Sequence, residues 1–360
     1  MKLVCSKSNL LTGLQVVSKA VPNKTTMSIL ECILIDSTSG EIKLTANDME
    51  LGIETIIEGE ILEKGIIALD AKIFLEIVRK LPDNDITITT DSNFKTAITC
   101  EKAKFNIIGK SGEDFSYLPM IERNESIIIS QYTLKEVIRQ TIFSISDNDN
   151  NKLMSGELFE INGEEMRVIS LDGHRISIRK IHLKNSYPAK KVVVPGKTLN
   201  EISKILSGDA DKDVTIFFTD KHIVFEFENT TVVSRLIEGE YFKIDQMLSS
   251  DYETKVIIHK KELLDCIDRA TLLIKEGDKK PIIINITDGS MELKINSPVG
   301  SMDEEIDIEK MGKDLMIGFN PKFLIDALRV IDDETITIYL VNPKAPCFIR
   351  DEENLSLIHI

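Results

Sequence analysis

The chain repeats one local plan three times, and this repeat limits its fold more than any other feature of the sequence. In each copy a small residue or proline precedes a lysine and an apolar stripe at helical spacing. The three segments are 71–81, 196–206 and 321–331, and their lysines, 125 residues apart, are Lys72, Lys197 and Lys322. An acidic turn and a threonine-rich alternating strand follow each segment, at 85–90, 213–219 and 334–340. The recurrence predicts three related units.

Three further sets of segments recur in the same order. Amphipathic helices, each preceded by a strand, are predicted at 8–17, 132–141 and 261–271. A strand followed by a turn also recurs, and Asp48 and Asp172 occupy equivalent positions in it, 124 residues apart. Residues 291–297 are a shorter third copy of this segment. GEDF at 112–115 and GEYF at 239–242 end the first two units. Chance similarity among common helix patterns is the alternative, and four features in one order argue against it.

The repeat also predicts the domain organisation and the fold class. We place the three domains at 1–123, 124–250 and 251–360, each with two helices and several strands. Units of roughly 120 residues are longer than solenoid repeats and long enough to have their own cores. Because strands outnumber helices, the predicted class is α+β, with the two helices of each domain packed on antiparallel sheet.

Cysteine and histidine are too sparse for the common metal and nucleophilic sites. The five cysteines and five histidines form no CxxC, HExxH or HxH spacing, and no glycine-rich phosphate loop or GxSxG elbow is present. We therefore predict buried, reduced thiols, no metal, no cofactor and no catalytic residues, although an enzyme on a repeated α+β scaffold stays an alternative. With no apolar run long enough to span a membrane and no signal-peptide core, the predicted location is the cytoplasm, without a membrane partner.

The distribution of charge matters more than its sum. The chain has 44 basic and 59 acidic residues, a net charge of −15, which by itself argues against a nucleic-acid partner. The six predicted helices, however, carry 14 basic and 7 acidic residues, so the rest of the chain holds −22. A basic helix face on an acidic protein predicts weak, sequence-independent and salt-sensitive contact with phosphates. The alternative is an ordinary solvated face of amphipathic helices.

At this point the chain resembles a known family. The segments that carry the resemblance are the opening MKL, LTANDMEL (44–51), LDGHRIS (171–177) and VPGK (194–197). With them, nearly the whole chain resembles the bacterial DNA polymerase III beta subunit, the replicative sliding clamp. The resemblance implies a head-to-tail homodimer that closes into a ring of six similar domains, with helices lining the hole and sheets outside. Double-stranded DNA would thread the hole without base-specific contacts. The ring would tether the replicative polymerase catalytic subunit, and the clamp loader and other proteins with clamp-binding motifs would also bind it, in the cytoplasm at the nucleoid and without chemistry of its own.

The resemblance also implies three sets of site residues. DNA contacts carry over to Lys24, Lys72, Asn148, Lys152 and Lys197. The subunit interface carries over to Lys102, Phe105 and Ile107 facing Leu272 and Leu273, with Glu304 and Glu305 opposite the lysine. A pocket for a short linear peptide carries over to Met154, Leu171, Asp172, Gly173, His174, Arg175, Ile176, Phe242, Met247, Pro346, Ile358 and Ile360.

Simpler explanations stay open at each set. Each lysine could serve solubility alone, Phe105 and the leucine pair could be core, and LDGHR could be a plain Asp-Gly turn. A peptide-binding scaffold with no DNA role is a further alternative. The sequence departs from the family at Phe242, where proline is frequent, and at His359, where proline is usual. An altered pocket floor and an altered peptide preference are therefore expected.

Overall fold

A computed structural model describes residues 1–146, 151–248, 251–275, 280–350 and 355–359, without the side chains of Met247 and 355–359. The contacts between residues divide the chain into two compact units. Unit 1 comprises Met1–Leu134 and Lys197–Leu236, and unit 2 comprises Lys135–Gly196 and Ile237–Ile360. The second repeat therefore contributes to both units.

Six α-helices lie in the described residues, and they confirm all six sequence predictions. They are α1 (Lys7–Val17), α2 (Ala71–Lys80), α3 (Gln131–Thr141), α4 (Gly196–Ile205), α5 (Lys260–Thr271) and α6 (Pro321–Val330). Side-chain caps fix several starts, because the side chains of Ser6, Asp70 and Asn320 accept hydrogen bonds from free backbone N–H groups of the first turn. Pro321 adds a φ angle already suited to the first helical position.

Two antiparallel sheets make up the strand content of unit 1. Their strands are β1 (Lys2–Ser6), β2 (Cys32–Asp36), β3 (Ile42–Asn47), β4 (Leu51–Ile57), β5 (Glu60–Glu63), β6 (Ile66–Asp70), β7 (Asp85–Thr90), β8 (Lys95–Cys100), β9 (Ala103–Ile108), β10 (Lys110–Ser111), β11 (Ser126–Ser130), β14 (Asp213–Phe218), β15 (His222–Phe227) and β16 (Thr230–Arg235). One sheet has the order β5-β1-β7-β8-β9, and the other has the order β10-β6-β2-β3-β4-β16-β15-β14-β11.

Unit 2 also contains two antiparallel sheets. Their strands are β12 (Gly156–Leu171), β13 (Arg175–Pro195), β17 (Thr254–His259), β18 (Ile282–Thr287), β19 (Ser290–Ser297), β20 (Gly300–Asp307), β21 (Glu309–Gly312), β22 (Leu315–Phe319), β23 (Thr335–Leu340), β24 (Cys347–Arg350) and β25 (Leu355–His359). The orders are β12-β13-β25-β24-β23-β17-β21 and β20-β19-β18-β22. The three predicted threonine-rich strands are β7, β14 and β23.

Strands of consecutive repeats pair with each other at two equivalent places. In unit 1, β4 of the first repeat pairs with β16 of the second, with Gly52 opposite Val233. In unit 2, β13 of the second repeat pairs with β25 of the third, with Ile176 opposite Ile358. These continuous sheets explain why the second repeat is shared between two compact units.

The helices pack through their apolar stripes. Within unit 1, α1 packs against α2, and within unit 2, α5 packs against α6. Leu10 and Leu14 of α1 and Leu263 of α5 are at most 1% exposed. All five cysteines are free and buried, as predicted. Burial raises the pKa of Cys5, Cys266 and Cys347 to about 12, so these groups stay protonated thiols at neutral pH.

Candidate functional site

Two of the basic residues counted on the helices donate hydrogen bonds to the ends of neighbouring helices. Lys7 Nζ donates to the Leu81 carbonyl at 2.5 Å, and Lys260 Nζ donates to the Ile331 carbonyl at 2.6 Å. The two lysines begin α1 and α5, and each reaches the carboxyl end of the other helix in its pair, where a cation is favoured. Gln131, at the same place in α3, instead accepts a hydrogen bond from Ser207 N at 2.9 Å.

Several other basic helix residues are held in ion pairs. Arg139 contacts Glu136 and Asp332 at 2.6 and 2.7 Å. The remaining pairs are Arg79 with Glu76, Lys204 with Glu201, Arg269 with Glu304, and Arg329 with Asp268. Most of these acids are already counted in the helix charge of +7, but Asp332 and Glu304 lie outside the six helices. The value of +7 therefore still overstates the positive charge that is free to attract an anion.

The predicted DNA-contacting lysines are on the surface. Lys24, Lys72 and Lys152 are exposed, as is Lys322, the repeat equivalent of Lys72. None of the four has an acidic group within 4.0 Å in the part of the chain that the structure describes. Lys197 is exposed but forms an ion pair with Asp48, whose side chain is almost buried. Asn148 lies outside the described residues.

The turn at 172–175 is built by its own aspartate. Asp172 Oδ1 accepts hydrogen bonds from the backbone N–H groups of His174 and Arg175, at 2.9 and 3.1 Å. Gly173 takes a φ of +90°, a backbone conformation that favours glycine. The turn therefore needs Asp172 and Gly173, whereas His174 and Arg175 are not required by its backbone.

Arg175 is used inside unit 2. It is 8% exposed, and its donors reach Asp172 (3.0 Å), Asp326 (2.8 Å) and the Phe143 carbonyl (2.6 Å). Its guanidinium also lies over the Phe143 and Phe323 rings, at 5.2 and 4.5 Å from their centroids. His174 is exposed and stacks on Phe323. Of the two predicted donors, His174 is thus the accessible one, while Arg175 ties the turn to α6.

Three of the predicted apolar pocket residues, Met154, Leu171 and Ile176, meet in one cluster. Leu171 and Ile176 are buried together with Tyr241, Ile244 and Phe348, and Met154 packs against them. Phe242 is 37% exposed and meets Tyr241 edge-on at 5.6 Å. Pro346, partly exposed, directly precedes β24. The side chains of Met247 and Ile358, and Ile360 altogether, lie outside the described residues.

A buried carboxyl group next to this cluster has no signal in the sequence motifs. Glu157 of β12 is 0% exposed, and within the described chain neither carboxyl oxygen has a hydrogen-bond partner. The nearby Thr141 hydroxyl donates to the Val137 carbonyl at 2.7 Å, and it offsets the effect of burial on the pKa of Glu157 only in part. Burial raises the pKa of Glu157 to about 8, so the group is mostly protonated at neutral pH.

Strand β9 is a basic and apolar edge of the five-stranded sheet. Lys102 and Lys104 are exposed, and Phe105 is 40% exposed. Ile107 is partly exposed. Ile108 is 83% exposed, and the family pattern did not single it out. Such an edge offers unpaired backbone groups beside an apolar patch.

Strand β20 is an acidic edge of the four-stranded sheet in unit 2. Asp303, Glu305 and Asp307 are exposed along it. Glu304 instead bonds Arg269, whose hydrogen bond holds the pKa of Glu304 below its usual range. Next to this sheet, Leu272 is 81% exposed, and Leu273 packs partly against the core.

The described residues contain no group of three or more His, Cys, Asp or Glu side chains arranged to hold a metal ion. Within the same residues, no helix has the length and apolarity that a membrane crossing requires.

Three family models match the chain in succession. They are the N-terminal, central and C-terminal domains of the DNA polymerase III beta subunit, at residues 1–119, 128–243 and 245–360. The beta sliding clamp of Staphylococcus aureus is 33% identical, over 100% of this chain and 98% of the relative. That of Staphylococcus epidermidis is 32% identical, over 95% and 93%.

Solved structures give the same result. A putative DNA polymerase III beta subunit from Eubacterium rectale has a TM-score of 0.98 and 75% identity, covering 100% of this chain and 98% of its own. The DNA polymerase sliding clamp of Bacillus subtilis has a TM-score of 0.96 and 32% identity, with the same coverage. The fold is therefore the α+β clamp fold, as predicted. The chain belongs to the DNA polymerase III beta subunit family, the bacterial sliding clamps.

Proposed function

We propose that two copies of this chain close head to tail into a ring around double-stranded DNA. As a member of its family, the chain is a processivity subunit of DNA polymerase III and has no catalytic activity of its own. We further propose three domains at 1–123, 124–250 and 251–360, so that the ring would contain six. The ring would work in the cytoplasm, at the DNA of the nucleoid.

The observation that carries ring closure is the pair of edge strands. β9 belongs to unit 1 and is basic, whereas β20 belongs to unit 2 and is acidic. If β9 of one copy meets β20 of another, opposite charges and unpaired backbone groups are brought together. The contact is heterologous, so two copies can satisfy both of their edges only by closing.

The proposed interface has an apolar centre and a charged border. Phe105, Ile107 and Ile108 of one copy would cover Leu272 and Leu273 of the other. Lys102 and Lys104 would face the acidic residues of β20. Because Glu304 already bonds Arg269 in its own chain, Glu305 is the more available acid.

Closure is tested by placing a charge at the centre of the proposed interface. Phe105→Asp is expected to give a monomer of 40.5 kDa in sedimentation at micromolar concentration, while the parent chain sediments at twice that mass. Leu62→Asp is the matched control, because Leu62 is 47% exposed on β5, the opposite edge of the same sheet. Equal masses for the two folded variants would contradict the proposed interface.

For DNA, we propose phosphate contacts at Lys24, Lys72, Asn148, Lys152 and Lys197. The exposure of the four lysines supports this assignment. Lys197 is paired with Asp48, which reduces the net positive charge at this position. We therefore expect Lys197 to contribute less to DNA affinity than Lys72. Contacts of this kind carry no sequence information, which suits a ring that must slide.

For protein partners, we propose that the cluster around Met154, Leu171 and Ile176 accepts a short linear peptide with apolar anchors. Phe242, Met247, Pro346, Ile358 and Ile360 would extend it. His174 would donate to the peptide, while Arg175 would hold the turn in place. The partners would be the replicative polymerase catalytic subunit, the clamp loader and other proteins that carry such a segment.

A further inference from the structure

Unit 1 contains a second pocket, separate from the residues of the proposed peptide pocket. It is lined by residues of four segments, among them Met49, Leu51, Leu118, His222, Val233 and Arg235. All of these residues belong to unit 1. The first segment is the turn before β4, the second follows GEDF, and the others belong to β15 and β16.

This pocket occupies the place in the first repeat that the proposed peptide pocket occupies in the second. Asp48 and Asp172 begin equivalent turns, 124 residues apart. The same offset relates Gly52 to Ile176, and these two residues lie opposite Val233 and Ile358 in equivalent strand pairings. Both pockets are therefore built at the pairing of β-strands from consecutive repeats.

The turn at the rim of the second pocket has an unusual backbone. Met49 has a φ of +75°, the conformation that its repeat equivalent Gly173 adopts at +90°. A methionine is unfavourable there because its Cβ is crowded. Met49 is nevertheless 55% exposed, with its flexible thioether side chain at the mouth of the pocket. Strain of this kind is concentrated at binding sites.

The pocket is sized for a single anchoring side chain. Its volume is about 80 Å³, far below the several hundred Å³ of sites for cofactors or drug-sized ligands. Leu118 closes it on one side, because it packs so tightly on Gly52 that a Cβ there would collide with it. The walls are mostly apolar, from Met49, Leu51 and Val233. An aliphatic side chain fits such a space.

The rim of the pocket carries positive charge. Arg235 is 55% exposed in its side chain and lies 3.7 Å from Glu50, so the pair is loose. Burial, Arg235 and Lys221 together lower the pKa of His222, which keeps the imidazole neutral at pH 7. At the His222 end of the pocket, Lys221 and Arg235 outweigh Glu50, so an acidic ligand is favoured there. At the other end, Asp36 and Glu113 act on Tyr117, so the acidic residue of a ligand is expected beside Arg235.

We propose that this pocket is a second docking site, for a linear peptide with one aliphatic anchor and flanking acidic residues. It goes beyond the function proposed above, although the choice of a peptide as ligand rests on the equivalence with the first pocket. Each chain could then hold two partner segments at once.

Methionine methyl groups report on both pockets separately. The full-length protein, ¹³C-labelled at its 11 methionine methyls, is titrated with acetyl-Asp-Ala-Leu-Asp-amide. Met49 reports on the second pocket and Met154 on the first, and Met49→Leu and Met154→Leu assign the two signals. The control peptides replace both aspartates with lysine, or the leucine with alanine.

We expect the Met49 signal to shift saturably with the acidic peptide, and both control peptides to bind more weakly. Arg235→Glu should weaken binding at Met49 by about fivefold or more, while His174→Ala leaves it unchanged. A shift confined to Met154, or equal shifts with aspartate and lysine peptides, would overturn the second site. A saturable shift at Met49 with no shift at Met154 would count against the first pocket only, and would leave the second site supported.

Discussion

In the LDGHR segment, the arginine is bonded inside the fold instead of being presented at the surface. Arg175 bridges the side chains of Asp172 and Asp326, which are only 13% and 24% exposed. From the sequence, Arg175 and His174 looked alike as donors for a peptide. Burial separates them, and burial depends on Phe143 and Phe323, which are distant in the chain and carry no motif.

Arg175→Met is expected to lower the free energy of unfolding by about 3 kcal/mol, because it leaves two partly buried carboxylates without their partner. Arg175→Lys should recover only part of the loss, since lysine cannot make the forked contacts. Chemical denaturation measures both. His174→Ala, at the exposed neighbour, should change stability by less than about 0.5 kcal/mol, and an equal loss there would contradict the distinction.

Glu157 predicts a specific dependence of stability on pH. Its pKa is about 8 in the folded chain against an ordinary value of 4.5, so the folded state holds a proton that the unfolded state releases between these values. Its contribution to stability is complete below pH 4.5 and is lost as the pH rises to about 8, at about 1.4 kcal/mol per pH unit.

Glu157→Gln removes this proton and is close in shape. The variant should therefore gain stability over the parent progressively between pH 5 and pH 8, in urea denaturation at matched salt. Comparing the two proteins cancels the titration of every other group. Parallel stability curves would show that Glu157 is ionised or solvated in the folded chain.

At the scale of elements, the helices were predictable and their charges were only partly so. Apolar spacing locates all six helices, because it is a local property, and the offset of 125 residues relates α2, α4 and α6 to one another. The role of each lysine depends on the neighbouring helix. Lys7 and Lys72 belong to one helix pair, yet only Lys7 reaches a helix end.

Two pairs of substitutions separate these roles. Lys7→Met and Lys260→Met should each cost about 1 kcal/mol of stability and leave duplex affinity nearly unchanged. Lys72→Met with Lys322→Met should leave stability within about 0.5 kcal/mol, and should weaken duplex binding and flatten its salt dependence. Denaturation and fluorescence anisotropy measure the two effects. Equal losses of affinity in both pairs would mean that the capping lysines also contact DNA.

At the scale of the whole molecule, the three repeats are joined by strand pairing. The pairings of β4 with β16 and of β13 with β25 involve residues far apart in sequence, and alternation alone does not specify such partners. For the same reason the sequence predicted the apolar residues of the peptide pocket only through family resemblance. The two edges, β9 and β20, stay available for a second copy.

Trapping on circular DNA tests ring closure around the duplex most directly. The protein is mixed with a linear duplex, the ends are joined by DNA ligase, and the circle is isolated at about 1 M salt, where the screening length is about 3 Å and phosphate contacts are weak. We expect the parent chain to stay with the circle and to be released by a single cut, whereas Phe105→Asp is not retained. Equal release of the parent chain from circular and cut DNA would contradict encirclement.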